Sequence, residues 1–184
     1  YVTEDYGKNW KLITSGIESE HFTRVVRSDK VNKNILYAGT ETGMYISFDK
    51  GNSWSKFQKN LPIVPITDLT IKDNSLIVAT QGRSIWILDD LTVLHQLSES
   101  SNEAKLYKPK DSYRMRGGGG MKSLTAGTNL PNGVIVHYYL PNFDKENDEV
   151  KLSIHSNDGG LIKEFSNKSK ENSMKVKQGG NSFV

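Results

Sequence analysis

Thr3-Glu-Asp-Tyr-Gly-Lys-Asn-Trp10 is written again, 44 positions on, as Ser47-Phe-Asp-Lys-Gly-Asn-Ser-Trp54. Both read S/T-x-D-x-G-x-x-W. At the same spacing Ile17 falls on Leu61, Phe22 on Ile66, Thr23 on Thr67, Arg24 on Asp68 and Val25 on Leu69. A third, degenerate copy follows at a spacing of 40, with Ile35–Thr40 falling on Ser75–Thr80 and Met44–Asp49 on Ser84–Asp89. It lacks the box glycine and the tryptophan, where Leu91 and Leu94 stand.

A period of ~40–45 residues built from short alternating strands is the mark of a propeller blade. The expected strands of one blade are Phe22–Arg27, Ile35–Gly39, Met44–Ser47 and Trp54–Gln58. The next blade has Ile66–Lys72, Ser75–Thr80 and Ser84–Leu88, separated by turn residues such as Glu41-Thr-Gly43 and Asp73-Asn74. Leu91–Leu97 is expected to form one short helical turn.

The box belongs on the tight hairpin between the third and fourth strands. The hydroxyls of Thr3 and Ser47 and the carboxylates of Asp5 and Asp49 accept N–H groups inside the loop, as in Asx- and ST-turns. Gly7 and Gly51 supply a backbone angle that other residues avoid. Trp10 and Trp54 anchor the returning strand in the core. Each part closes a loop, so all eight residues are assigned to structure.

These residues resemble the Asp-box, or bacterial neuraminidase repeat, of sialidases, xyloglucan-degrading glycosidases and sortilin-type propellers. Leu36–Gly43, Leu61–Leu69 and Gly82–Asp90 resemble more narrowly the last blades of a sortilin-like family of Bacteroidetes-type bacteria that carries a glycosyl-hydrolase label. The resemblance implies propeller blades over 1–97, a glycine-rich linker over 98–132 and the beginning of a β-sandwich over 133–184. It also implies a secreted or periplasmic parent that binds a peptide or glycan, with the propeller completed by the rest of that parent or by other chains. This chain is then a non-catalytic fragment. The alternative is part of a glycoside hydrolase whose main catalytic acids lie elsewhere.

Beyond the connector, Val134–Leu140 is rich in β-branched and aromatic residues, and Val150, Leu152 and Ile154 alternate with polar neighbours. Asn157-Asp-Gly-Gly160 is a hairpin turn, Leu161–Phe165 returns, and Asn181–Val184 reads as a further strand. The fold class is therefore all-β, a partial propeller of about two blades followed by a partial immunoglobulin- or fibronectin-like sandwich. Leu106-Tyr107 is expected to add a strand to the propeller rim, and Gly117–Gly120 to be a plain loop.

Composition narrows the chemistry. The 184 residues contain no cysteine, which excludes disulfides and thiolate sites. A net charge of +3 with both signs interspersed does not point to nucleic acid. No apolar run reaches the ~20 residues of a membrane-spanning helix. The four histidines, His21, His95, His137 and His155, lack metal-ligand spacing, and Asp144–Glu149 lacks the calcium-loop pattern, so neither metal nor cofactor is expected.

Glycosidic cleavage needs a carboxyl pair ~5–10 Å apart. Asp68, on the first strand of its blade and nearest the channel, is the one weak catalytic candidate among Glu41, Asp49, Asp68, Asp89 and Asp90. Arg24, matched to Asp68 by the repeat, is expected on the same channel wall, where both are also ligand-binding candidates. Arg83, beside Trp86 and close to Asp89 and Asp90, is a weak ligand-binding candidate, a cation next to an aromatic platform. No Arg-Ile-Pro element precedes the boxes, which argues against a sialidase.

Overall fold

The computed structural model describes residues 1–97, 103–113 and 131–184. The Gly117–Gly120 run, and the part of the expected linker that surrounds it, lie outside these. The chain divides into two compact units, Tyr1–Leu91 and Thr92–Val184.

The first unit holds two antiparallel sheets in simple up-and-down order. One contains β1 (Thr23–Ser28), β2 (Leu36–Thr40), β3 (Gly43–Ser47) and β4 (Ser55–Lys56). The other contains β5 (Ile66–Lys72), β6 (Ser75–Thr80) and β7 (Ile85–Leu88). β5 lies against β1 and β2, so the sheets stack as successive blades. Ahead of both, Val2 and Lys11 form an antiparallel bridge across the first box. It is the counterpart, at 44, of the pair Ile46 and Ser55 between β3 and β4.

Alternation decides what each blade buries. On one face of the second sheet, Leu69, Ile71, Leu76 and Val78 are all at most 6% exposed. They meet the face of the first sheet that carries Val25, Tyr37, Met44 and Ile46, which are all buried as well. Gly39 lies at the closest approach, where a Cβ would come within 2.5 Å of Ile66 Cγ2. The opposite face of the first sheet holds Ala38, Tyr45 and Trp54, packed under Ile13, Ile17 and Leu36.

The strand register corrects one equivalence. Thr23 pairs with Thr40, and Ile66 pairs with Thr80; each pair is followed by a bulge. Thr23, not Phe22, is thus the counterpart of Ile66, and the spacing along the first strands is 43 while the boxes keep 44. Val25, not Arg24, accordingly stands where Asp68 stands in the next blade. The one-residue difference is absorbed between box and strand, where no ladder enforces register.

The degenerate third box forms no hairpin. Leu91 is fully buried, its N–H donates to the Asn74 carbonyl, and a single-turn helix, α1 (Thr92–Gln96), follows.

In the second unit, β8 (Lys105–Leu106), β9 (Val136–Leu140) and β12 (Gly179–Phe183) form one sheet, with β9 in the middle. β10 (Lys151–His155) and β11 (Leu161–Ser166) form a hairpin. The Phe165 and Phe183 rings, 4.6 Å apart, link the two sheets into a partial sandwich. β8 corrects the expectation of a rim strand: Leu106 pairs with Tyr138 of β9, inside this unit. A two-residue strand carries too few contacts for sequence to choose its partner.

The fold is therefore all-β apart from α1, with propeller blades first and a partial sandwich second.

Candidate functional site

The two boxes are the most fully specified parts of the chain, and they repeat bond for bond. In the second, Ser47 Oγ donates to Asp49 Oδ1 at 2.8 Å and accepts the Gly51 N–H at 2.7 Å. Asp49 also accepts the Ser53 N–H and hydroxyl at 2.8 and 2.6 Å. In the first, Thr3 Oγ1 donates to Asp5 Oδ1 and accepts the Gly7 N–H, each at 2.8 Å. Asp5 then accepts the Asn9 N–H and side-chain amide at 2.8 and 2.6 Å. Gly7 and Gly51 have φ of 88° and 89°, the left-handed region that the turn requires.

These carboxylates are committed to their turns. The Ser53 hydroxyl above all holds Asp49 below the ordinary carboxylate range, and the Asn9 N–H above all does so for Asp5. A depressed folded-state pKa adds stability above the unfolded value, near 3.8. That contribution is lost as pH falls through the still lower folded value. Chemical denaturation between pH 5 and pH 2.5 is expected to show a loss of stability that Asp49→Asn reduces. An unchanged slope in the variant would contradict the assignment.

The tryptophans differ. Trp54 is buried, its indole donates to the Ile13 carbonyl at 2.8 Å, and its N–H donates to the Ser15 carbonyl. Trp10 is 60% exposed and bonds only within its own loop, to the Gly7 carbonyl. Trp54→Phe is therefore expected to lower stability by about 1–2 kcal/mol in urea denaturation. Trp10→Phe is expected to stay within ~0.5 kcal/mol. Equal losses would overturn this reading.

The inner strands gather the polar candidates. β1 and β5 are each the edge strand of their sheet. Arg27 of β1 donates to Asp68 Oδ1 of β5 at 2.6 Å, and Asp68 also accepts the Leu69 N–H at 2.8 Å. Arg24 is turned to Glu41 in an ion pair within its own blade. The partner of Asp68 is thus Arg27, two strand positions on from Val25. The signal in the sequence was a charged residue on the β1 face that otherwise carries Val25.

At the start of β7 the Trp86 indole donates to the Arg83 backbone carbonyl at 2.8 Å. Asp89 and Asp90 stand at the other end of β7. The Asp90 carboxylate meets the Asn74 amide, and the Asp89 carbonyl meets Ser75. In the second unit, the Asp144 carboxylate is taken up by the Glu146 N–H and the Asn147 amide, while Lys168 caps the Lys145 and Glu146 carbonyls. Among the described residues no three His, Asp or Glu side chains gather as a metal site.

A family model described as Sortilin, neurotensin receptor 3, matches residues 1–115, which include both boxes, both sheets and β8. The chain belongs to this Sortilin-Vps10 family. Its propeller is accordingly sortilin-like, and the family is typically extracellular or luminal. Comparison with curated proteins and with solved structures gives no match. No helix among the described residues is long and apolar enough to cross a membrane.

Proposed function

We propose that the chain is the closing part of a sortilin-like propeller whose inner edge binds a peptide or glycan, and that its own residues catalyse no reaction. One observation carries the reading: the two arginines of the inner strand β1 each hold an acid, Asp68 on β5 and Glu41 in the turn after β2. Asp68 is bound by Arg27 and Glu41 by Arg24. A general acid is favoured in an apolar site that keeps it protonated, or opposite a second carboxylate. Arginine–carboxylate pairs on an edge strand instead offer alternating donors and acceptors to a polar ligand. The edges of β1 and β5 add backbone groups to which an extended peptide can bond.

In this reading the rest of the parent, or other chains, complete the propeller, and the protein works outside the cytoplasm as a secreted or periplasmic component. Arg83 with Trp86 is a second, weaker contact for the ligand. The test is binding of the chain to immobilised peptide and glycan panels. Arg27→Ala is expected to weaken the captured ligand about tenfold, with the melting temperature unchanged. Sugar release that disappears with Asp68→Ala would assign glycoside hydrolysis instead.

A further inference from the structure

The second unit holds a pocket of about 270 Å³ between its two sheets. Tyr138 and Leu140 stand on the same face of β9, and Leu106, which pairs with Tyr138, shares that face. Val150, Leu152 and Met174 line the other side. The Phe165–Phe183 contact marks the same inner faces, since Phe165 pairs with Leu152 and Phe183 with Val136, two residues before Tyr138. Leu106 is 62% exposed at the mouth, whereas Met174 and Tyr138 are buried.

One polar atom here is out of place. The Tyr138 hydroxyl is buried and makes no hydrogen bond among the described residues. Buried hydroxyls are normally paired, because an unmet one costs more than its bond would contribute. Burial raises this one above the usual phenol range, so it stays a neutral donor. The other inward side chains are hydrocarbon or thioether, and they do not supply the about two to four polar partners that an ordered water needs. The two lysines at the rim are engaged elsewhere. Lys105 donates to the Gln96 carbonyl at 2.7 Å and lies over the Tyr107 ring, and Lys151 is held by Glu149 and Glu164 at 3.7 and 3.8 Å.

We propose that this pocket binds a small neutral molecule, apolar over most of its surface and carrying one oxygen that accepts the Tyr138 O–H. The volume suits a single substituted ring: a dry apolar cavity of about 150 Å³ already holds benzene, and sites for drug-sized ligands begin near ~300 Å³. With both rim lysines engaged, an ionic ligand would lose its water without gaining a partner. The site lies within the second unit. It goes beyond the binding edge proposed for the propeller and does not rest on it.

Acetophenone and ethylbenzene are suitable probes, alike in shape except for the carbonyl. Titration of the full chain, followed by NMR at the Met174 methyl, is expected to show that both bind. Tyr138→Phe is expected to weaken acetophenone about tenfold and to leave ethylbenzene unchanged. The same variant removes the unmet hydroxyl, so the free chain is expected to melt about 2 °C higher or more. Leu106→Trp, at the exposed mouth, is expected to block both probes. No shift at Met174 with either probe at millimolar concentration would overturn the proposal. So would an acetophenone affinity that Tyr138→Phe leaves unchanged, or a loss shared equally by the two probes. A lower melting temperature in that variant would also overturn it, by showing that the hydroxyl already has a partner.

Discussion

Gly39→Val is expected to destabilise the chain by about 3 kcal/mol. A Cβ at position 39 would sit 2.5 Å from Ile66 Cγ2, 2.8 Å from Ile66 Cβ and 2.8 Å from Val25 Cγ1. Both neighbours are β-branched, so neither rotates easily out of the way. Ile66 is fully buried and Val25 is 8% exposed, which leaves no solvent to yield into. The sheets must then move apart, and the apolar contact between them loosens along its length. Gly39→Ala should cost less, with the same sign. Urea denaturation supplies the numbers, and a double-mutant cycle with Ile66→Ala supplies the cause. Trimming Ile66 removes the tightest contact, at Cγ2, and leaves those with Ile66 Cβ and Val25 Cγ1, so Gly39→Ala should cost less in that background without becoming neutral. If the two changes simply add, the blades do not meet at this point.

Asp29→Ala is expected to cost a similar amount, about 3 kcal/mol. Asp29 is 1% exposed in the loop between β1 and β2. Its Oδ1 accepts the N–H groups of Val31 and Asn32 at 2.7 and 2.9 Å, and its Oδ2 accepts the Tyr37 hydroxyl at 3.1 Å. Burial first, and then the nearby carboxylate, push the Tyr37 hydroxyl far above the usual phenol range. It stays protonated and remains a donor. Alanine leaves these donors without their acceptor in a place water does not reach, which costs more than the bonds themselves contribute. Asp29→Asn keeps an oxygen for the loop and should recover part of the loss. Thermal melts of the three proteins test the order; an alanine variant within ~0.5 kcal/mol of the parent would show that the loop is held by something else. Nothing in the sequence around Asp29 says that Tyr37, eight residues on, is buried above it.

The boxes were legible because their bonds are local. Ser47, Asp49, Gly51 and Ser53 satisfy one another within a few residues, so the pattern alone carries the geometry. The strands were legible for a related reason. A period of two marks a sheet with one face more deeply buried than the other, and β5 and β6 fall where alternation places them. Trp10 and Trp54 mark where that legibility stops. They stand in matching turns, yet only Trp54 has a neighbouring segment to bury it.

The sequence by itself determined the repeat, the turn chemistry and the all-β class, since each depends on residues close together in the chain. Only the tertiary structure decided the 43-residue register of the first strands, the pairing of Arg27 with Asp68, and the sheet that Leu106 joins. Those outcomes depend on which surfaces meet across tens of residues. Packing between sheets settles them, and no short stretch of sequence records it.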